Sequence, residues 1–275
     1  MQEDFLKRMP TGLTSLDPVF EGGVPLGSLM LLLGEIGAGN RDFVYTSIIN
    51  LSLKSSLPED SNFIYPKEIH YVTVSKVRED IKREIELSFS PDLLENFEKI
   101  HFDDLSNIFF DSSVVPFAWY SNVENVLDRM ERRKIRENVL ASLSDTLTEI
   151  PDESLVIIDS LTEMASQSLA SGNWGNLTAY LRGMQRISKS WGTTIYLILT
   201  KGVLNQWQEL EIADAVDAVL HFKWEDSAAA RRQRIMYFEK FRGVMIHLEE
   251  KDLVKFSVRV TPGRGFEVSN IRVIV

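Results

Sequence analysis

The 275-residue chain contains no cysteine. That absence excludes disulfides, thiolate nucleophiles, iron–sulfur clusters and cysteine-ligated zinc, and it fits a reducing compartment. Long apolar runs are missing too, since none reaches the roughly 18 residues that a membrane span requires. The amino terminus, MQEDFLKRMPTG, carries acidic residues where a secretory signal would be basic. The expectation is a soluble, cytoplasmic protein. Basic residues are in deficit, with 30 Lys and Arg against 40 Asp and Glu and a net charge of −10. Binding to a nucleic-acid backbone is mostly charge neutralisation, so this balance argues against it. No internal repeat, low-complexity tract or linker-like composition break interrupts the chain. Residues 1–275 read as one domain, with a 44% apolar fraction to fill its core.

What the sequence does contain is a series of short runs rich in Val, Ile and Leu, separated by segments of helical period. The runs are Ser28–Glu35, Ile69–Ser75, Lys99–Leu105, Ser154–Leu161, Thr193–Thr200 and Ala218–Trp224. Apolar on both faces, they predict a largely parallel sheet covered by helices, an α/β fold. After Ala218 two strand-like segments follow, RQRIMYFEKFRG and VKFSVRVTPGRGFEV. They predict antiparallel strands added to the sheet. The aromatic segment Asn107–Ser121 reads as a packed connection, and Val123–Leu147 as a long helix whose basic run, RMERRKIRE, is a solvated face. The four histidines, His70, His101, His221 and His247, read as isolated, with no metal site among them.

The stretch GEIGAGNR, Gly34–Arg41, follows the first apolar run and has most of the form G-x-x-x-x-G-K-[ST]. In such loops the glycines let backbone N–H groups converge on phosphate oxygens at a helix start. Gly34, Gly37, Ala38 and Gly39 suit that geometry. Asn40 stands where the lysine belongs and Arg41 where the magnesium-holding hydroxyl belongs. Asn40 offers neutral donors only. Arg41 would repel Mg²⁺ or replace it as a counter-charge, and Asp42 disfavours an anion at the same helix end. Two readings stay open: a tight turn kept for backbone shape, or a weak site for ATP or ADP. A second element, SLVIIDS, ends a strand in Asp159, where α/β sheets collect ligands and a carboxylate can hold Mg²⁺.

Taken together, Thr11–Asn40 (TGLTSLDPVFEGGVPLGSLMLLLGEIGAGN), Leu155–Met164 (LVIIDSLTEM) and Met236–Gly243 (MYFEKFRG) resemble the RecA superfamily, and within it the KaiC-like branch. The resemblance covers nearly the whole chain. It implies a RecA-like P-loop NTPase fold that binds ATP between adjacent subunits, with Asp159 in the Walker B strand. It also implies one or two glutamates at the end of the strand after the P-loop helix, where this chain has Ser75 and Lys76. Neither suits the role of a base at neutral pH. The late K-x-R-G element, Lys240 to Gly243, resembles an arm that reaches a neighbouring subunit's γ-phosphate. Strand alternation would set Lys240 and Arg242 on one face and Glu239 and Phe241 on the other.

With the lysine, hydroxyl and base positions all replaced, the expectation is a pseudo-ATPase that acts through protein–protein assembly as a regulatory or scaffolding subunit. Its partner would be another protein, a paralogous subunit or a second copy. A slow or weakly ATP-binding protein and a DNA-associated recombinase paralogue are the alternatives.

Overall fold

All six residues of Leu29–Gly34 are buried, as a strand covered on both faces requires. A computed structural model of the chain describes residues 7–54, 63–91, 94, 97–120, 138–226, 232–251 and 254–270. Its strands are β1 (Arg8–Met9), β2 (Val24–Pro25), β3 (Leu29–Gly34), β4 (Ile69–Thr73), β5 (Ile100–Asp104), β6 (Leu155–Asp159), β7 (Thr194–Thr200), β8 (Ala218–Asp226), β9 (Arg232–Phe241), β10 (Lys255–Thr261) and β11 (Gly265–Asn270). Its helices are α1 (Asn40–Lys54), α2 (Arg78–Ser88), α3 (Ser106–Asp111), α4 (Val139–Glu149), α5 (Leu161–Ala170), α6 (Trp174–Trp191), α7 (Gln206–Ala215) and α8 (Met245–Glu250).

Nine strands form one sheet in the order β11-β10-β9-β8-β3-β7-β6-β4-β5. Pairing is parallel from β8 through β3 to β5, and antiparallel from β8 through β9 and β10 to β11. This is the expected α/β architecture with antiparallel carboxyl-terminal strands. Each face carries its own core. On one, Phe43 and Ile48 of α1 and Ile81 and Ile85 of α2 pack with Tyr71, Tyr196 and Phe222. On the other, Leu143 of α4, Met164 of α5, Leu181 of α6 and Ile212 of α7 pack with Leu31, Ile158 and Leu197. Among the described residues no helix is long and apolar enough to cross a membrane.

The T-G-x-x-x-L-D leader has a structural task. Asp17 Oδ1 accepts from Thr11 N and Thr11 Oγ1 at 2.6 and 2.5 Å. Ser47 and Asn50 of α1 donate to the Thr11 and Gly12 carbonyls at 2.6 and 2.8 Å. The leader thereby anchors the flank of α1.

Four expectations need correction or restriction. The segment VKFSVRVTPGRGFEV is two strands, because Pro262 and Gly263 turn the chain between β10 and β11. None of the described residues 107–120 is buried, and Trp119 is 79% exposed. Its first turn still packs as a connection would, with Ile108 and Phe109 against the core beneath α4–α7, whereas Phe110 and Phe117 pack on Tyr120. Most of the expected helix Val123–Leu147, with its basic run, lies outside the described residues. The part that is described begins as α4, where Asn138 Oδ1 caps Leu140 N at 3.0 Å. The histidines are not all isolated: His70 and His101 are partners in the β4–β5 register with stacked rings, and His221 bonds Glu239 and stacks on Tyr237.

Candidate functional site

The loop between β3 and α1 opens at the carboxyl ends of the parallel strands. Gly37 (φ 74°) and Gly39 (φ 110°) hold left-handed backbone there, which only glycine adopts freely. Gly34 is needed for closeness: a Cβ on it would meet Asn40 Cγ at 2.5 Å. Asn40 therefore folds back against the end of β3, and its Oδ1 accepts from Arg41 N at 3.1 Å. One of the free amides at the start of α1, which in a phosphate loop would face the ligand, is thus already engaged.

Arg41 reaches from the first turn of α1 to Asp159, the last residue of β6. Its Nη2 and Nε donate to Oδ1 and Oδ2 at 3.0 and 3.4 Å. Tyr71 of β4 donates its hydroxyl to Oδ2 at 2.7 Å. Asp159 is 3% exposed and Arg41 39%. Burial opposes the Arg41 charge, but the Asp159 carboxylate outweighs it and holds the guanidinium above its ordinary pKa. The Tyr71 hydroxyl is pushed well up by complete burial and then by the adjacent carboxylate, so it stays a donor.

A second charge pair continues the array. Tyr45 of α1 stacks on Tyr71 with ring centroids 6.3 Å apart. Its hydroxyl donates to Glu84 of α2 at 2.7 Å, and Lys76 Nζ donates to the same carboxylate at 2.5 Å. Burial would raise Glu84, yet the hydrogen bonds from Lys76 and Tyr45 leave it below its ordinary value. Ser75, the other residue at the end of this strand segment, donates to Glu163 of α5 at 3.4 Å, and Ser160 donates to Glu163 as well. Ser160 Oγ in turn accepts from Thr162 N.

From outside, β8 and β9 hold the loop by its carbonyls. Trp224 Nε1 donates to Ile36 O at 3.1 Å and Arg234 Nε to Gly37 O at 3.0 Å. The guanidinium groups of Arg232 and Arg234 lie over the Trp224 ring at 4.5 and 5.0 Å. Arg234 also faces Asp42 at 4.0 Å; burial still leaves Asp42 raised.

The structure thus brings together Gly34, Gly37, Ala38, Gly39, Asn40, Arg41 and Asp159, with Ser75 and Lys76 beside them. Lys240 and Arg242 lie elsewhere, at the carboxyl end of α7. Lys240 Nζ donates to the Ala213 and Asp214 carbonyls at 2.7 and 3.1 Å, and Arg242 Nη2 to the Asp214 carbonyl at 3.3 Å. The two cations do share a side, but the expected opposite placement of Glu239 with Phe241 fails. A register shift opposite Val219 and Leu220 inserts Glu239 as a bulge, so Phe238 and Phe241 are both buried while Glu239 turns to His221.

The residues missed from sequence are Tyr71, Tyr45, Glu84, Glu163, Trp224 and Arg234. Only Glu163 had a local signal: Ser160-x-x-Glu163 after an apolar strand is a capping-box pattern. Tyr45 sits one turn after Arg41 on α1 with no motif to mark it, and the others come from distant elements.

Residues 9–255 match the family model described as the KaiC ATPase. Among solved structures, the KaiC-like protein PH0186 from the hyperthermophilic archaeon Pyrococcus horikoshii OT3 aligns at 18% identity and a TM-score of 0.56, over 96% of this chain and 99% of that one. The flagellar accessory protein FlaH from Methanocaldococcus jannaschii aligns at 15% identity and a TM-score of 0.60, with the same two coverages. At such identities the two structures speak to fold alone. No curated protein matches the chain. The family model spans most of the sequence, and with the RecA-like sheet order it gives a plain assignment: the chain belongs to the KaiC ATPase family.

Proposed function

We propose that this KaiC-family domain does not hydrolyse nucleotide and acts through assembly, as a regulatory or scaffolding subunit beside a paralogous subunit, another protein or a second copy of itself. The carrying observation is the two-point pair between Arg41 and the buried Asp159. A hard divalent cation needs oxygen ligands, and here a guanidinium holds the carboxylate that would supply one. The donor set therefore does not fit Mg²⁺. Asn40 folds toward Gly34 and brings no cation to a phosphate chain. Ser75 contributes a hydroxyl where the resemblance calls for a carboxylate base.

Weak binding of ATP or ADP without metal is the second reading, supported by the left-handed Gly37 and Gly39. One pair of measurements tests both. The tag-free chain should show no ATP turnover above background, and a melting-temperature rise with ADP that is the same with and without Mg²⁺ would establish the second reading. Turnover abolished by Asp159→Ala would overturn the proposal.

A further inference from the structure

Along the edge of the sheet formed by β4 and β5, Glu68, His70 and His101 gather at the amino ends, opposite the loop, and Asp103 follows two residues further along β5. Glu68 and His70 are two residues apart in sequence, as are His101 and Asp103, and His70 pairs with His101 in the register. Alternation of side chains along the strands puts His70, His101 and Asp103 on the same side, and Glu68, just before β4, joins them through His70. The His70 and His101 rings are stacked, with centroids 4.8 Å apart and planes within 15°.

We propose that Glu68, His70 and His101 form a zinc site, with Asp103 orienting His70 from outside the coordination shell. One ligand atom from each of the three residues lies within 4.8 Å of the other two. His70 Nε2 is 2.9 Å from Glu68 Oε2, and His101 Nε2 is 4.0 Å from the same oxygen. Tetrahedral zinc with bonds of about 2.0–2.1 Å brings its ligand atoms to about 3.3 Å. The inward movement needed falls to His101, the exposed member of the set at 54%, and to the half-buried Glu68.

Asp103 provides the second argument. Its Oδ2 lies 2.9 Å from His70 Nδ1. With Nδ1–H donating to Asp103, displacement of the Nε2 proton that now faces Glu68 would turn Nε2 into a metal ligand and give the carboxylate–histidine–metal arrangement. Two imidazoles and one carboxylate favour a borderline transition-metal dication over Mg²⁺ or Ca²⁺. Three protein ligands leave a fourth position for water. Zinc binding would displace the proton that His70 Nε2 shares with Glu68.

A structural clamp is the competing account, with His70 held between Glu68 and Asp103. His101 separates the two, because the clamp is complete without it. The experiment titrates ZnCl₂ into the tag-free, chelator-stripped full chain by calorimetry, alongside melting curves and visible absorption with Co²⁺. The expected result is one zinc per chain, a raised melting temperature, and Co²⁺ ligand-field bands of a low-coordinate site. Asp103→Asn should weaken zinc about 10–100-fold, and His101→Ala should remove the bands and weaken zinc at least as far. His247→Ala, an exposed histidine on α8, should bind as the parent does. No zinc response in the parent, parent-like binding by His101→Ala, or an equal loss in His247→Ala would overturn the site. Since His101 is exposed, its removal should leave the fold intact, which the metal-free melting curve checks.

Discussion

Arg41 and Asp159, 118 residues apart in sequence, meet through two hydrogen bonds of 3.0 and 3.4 Å at the junction of α1 and β6. Removing one partner of a buried pair leaves an uncompensated charge, although the exposure of Arg41 moderates the effect. Arg41→Met should therefore cost about 1–3 kcal/mol in urea denaturation. Asp159→Asn in the same background should restore part of it. A double-mutant coupling under about 0.5 kcal/mol would show the two sites to be independent.

Asn40→Lys with Arg41→Thr supplies a phosphate cation and a metal hydroxyl but no base. Nucleotide affinity, read by calorimetry, should rise and become dependent on Mg²⁺, while turnover stays at background. Adding Ser75→Glu to the pair is the step expected to bring hydrolysis. Equal turnover in the double and triple variants would remove Ser75 from the base position.

Lys240 and Arg242 face the carbonyl end of α7, where a cation typically contributes about 0.3–1 kcal/mol. Burial, with Arg242 nearby, already lowers the Lys240 pKa. Lys240→Met and Arg242→Met should each lower stability within that range, the loss shrinking at high salt. We keep a trans role toward a neighbour's phosphate as a proposal, in which these side chains must leave the Ala213 and Asp214 carbonyls. Turnover by a hydrolysing paralogue, mixed with parent or double variant at equal complex formation, should then fall with the variant; equal turnover rejects the role.

Glu84 gives a pH dependence with a definite sign. Its folded pKa lies below the ordinary 4.5, so its contribution is complete above about that pH and is lost as pH falls through the folded value. Lys76→Met removes the strongest of the bonds that lower it. Denaturation midpoints from pH 6 down to 3, a range of about three units around that value, should fall less steeply in Lys76→Met than in the parent. Parallel curves would show that the Lys76 contact contributes nothing.

The fold was largely legible because its strands are buried on both faces: Leu29–Gly34, Leu155–Asp159 and Thr194–Thr200 each stand out as continuous apolar runs. The loop glycines and Asp159 were legible for a similar reason, as local motifs at strand ends. Pairings that depend on register or on distant elements were not. His70 and His101 look unrelated until β4 and β5 are aligned, and the Glu239 bulge has no local composition signal. Trp224 and Arg234 reach the loop only because β8 and β9 extend beyond β3 as a hairpin.

The carboxyl-terminal hairpin also bears on how the loop is completed during synthesis. Phe266 packs its ring on Phe43 of α1 at 5.5 Å, and its amide donates to Thr46 Oγ1 at 2.8 Å, a contact spanning 220 residues. Val268 likewise binds Ser15 across 253 residues. At about 5–20 residues per second, the helix behind the loop leaves the ribosome roughly 10–40 s before the strand that covers it. Through that interval the aromatic face of α1 lacks its final neighbour. The segment with the strongest early motif therefore reaches its native packing among the last, and shortening the chain before Phe266 would disturb the loop without touching any residue in it.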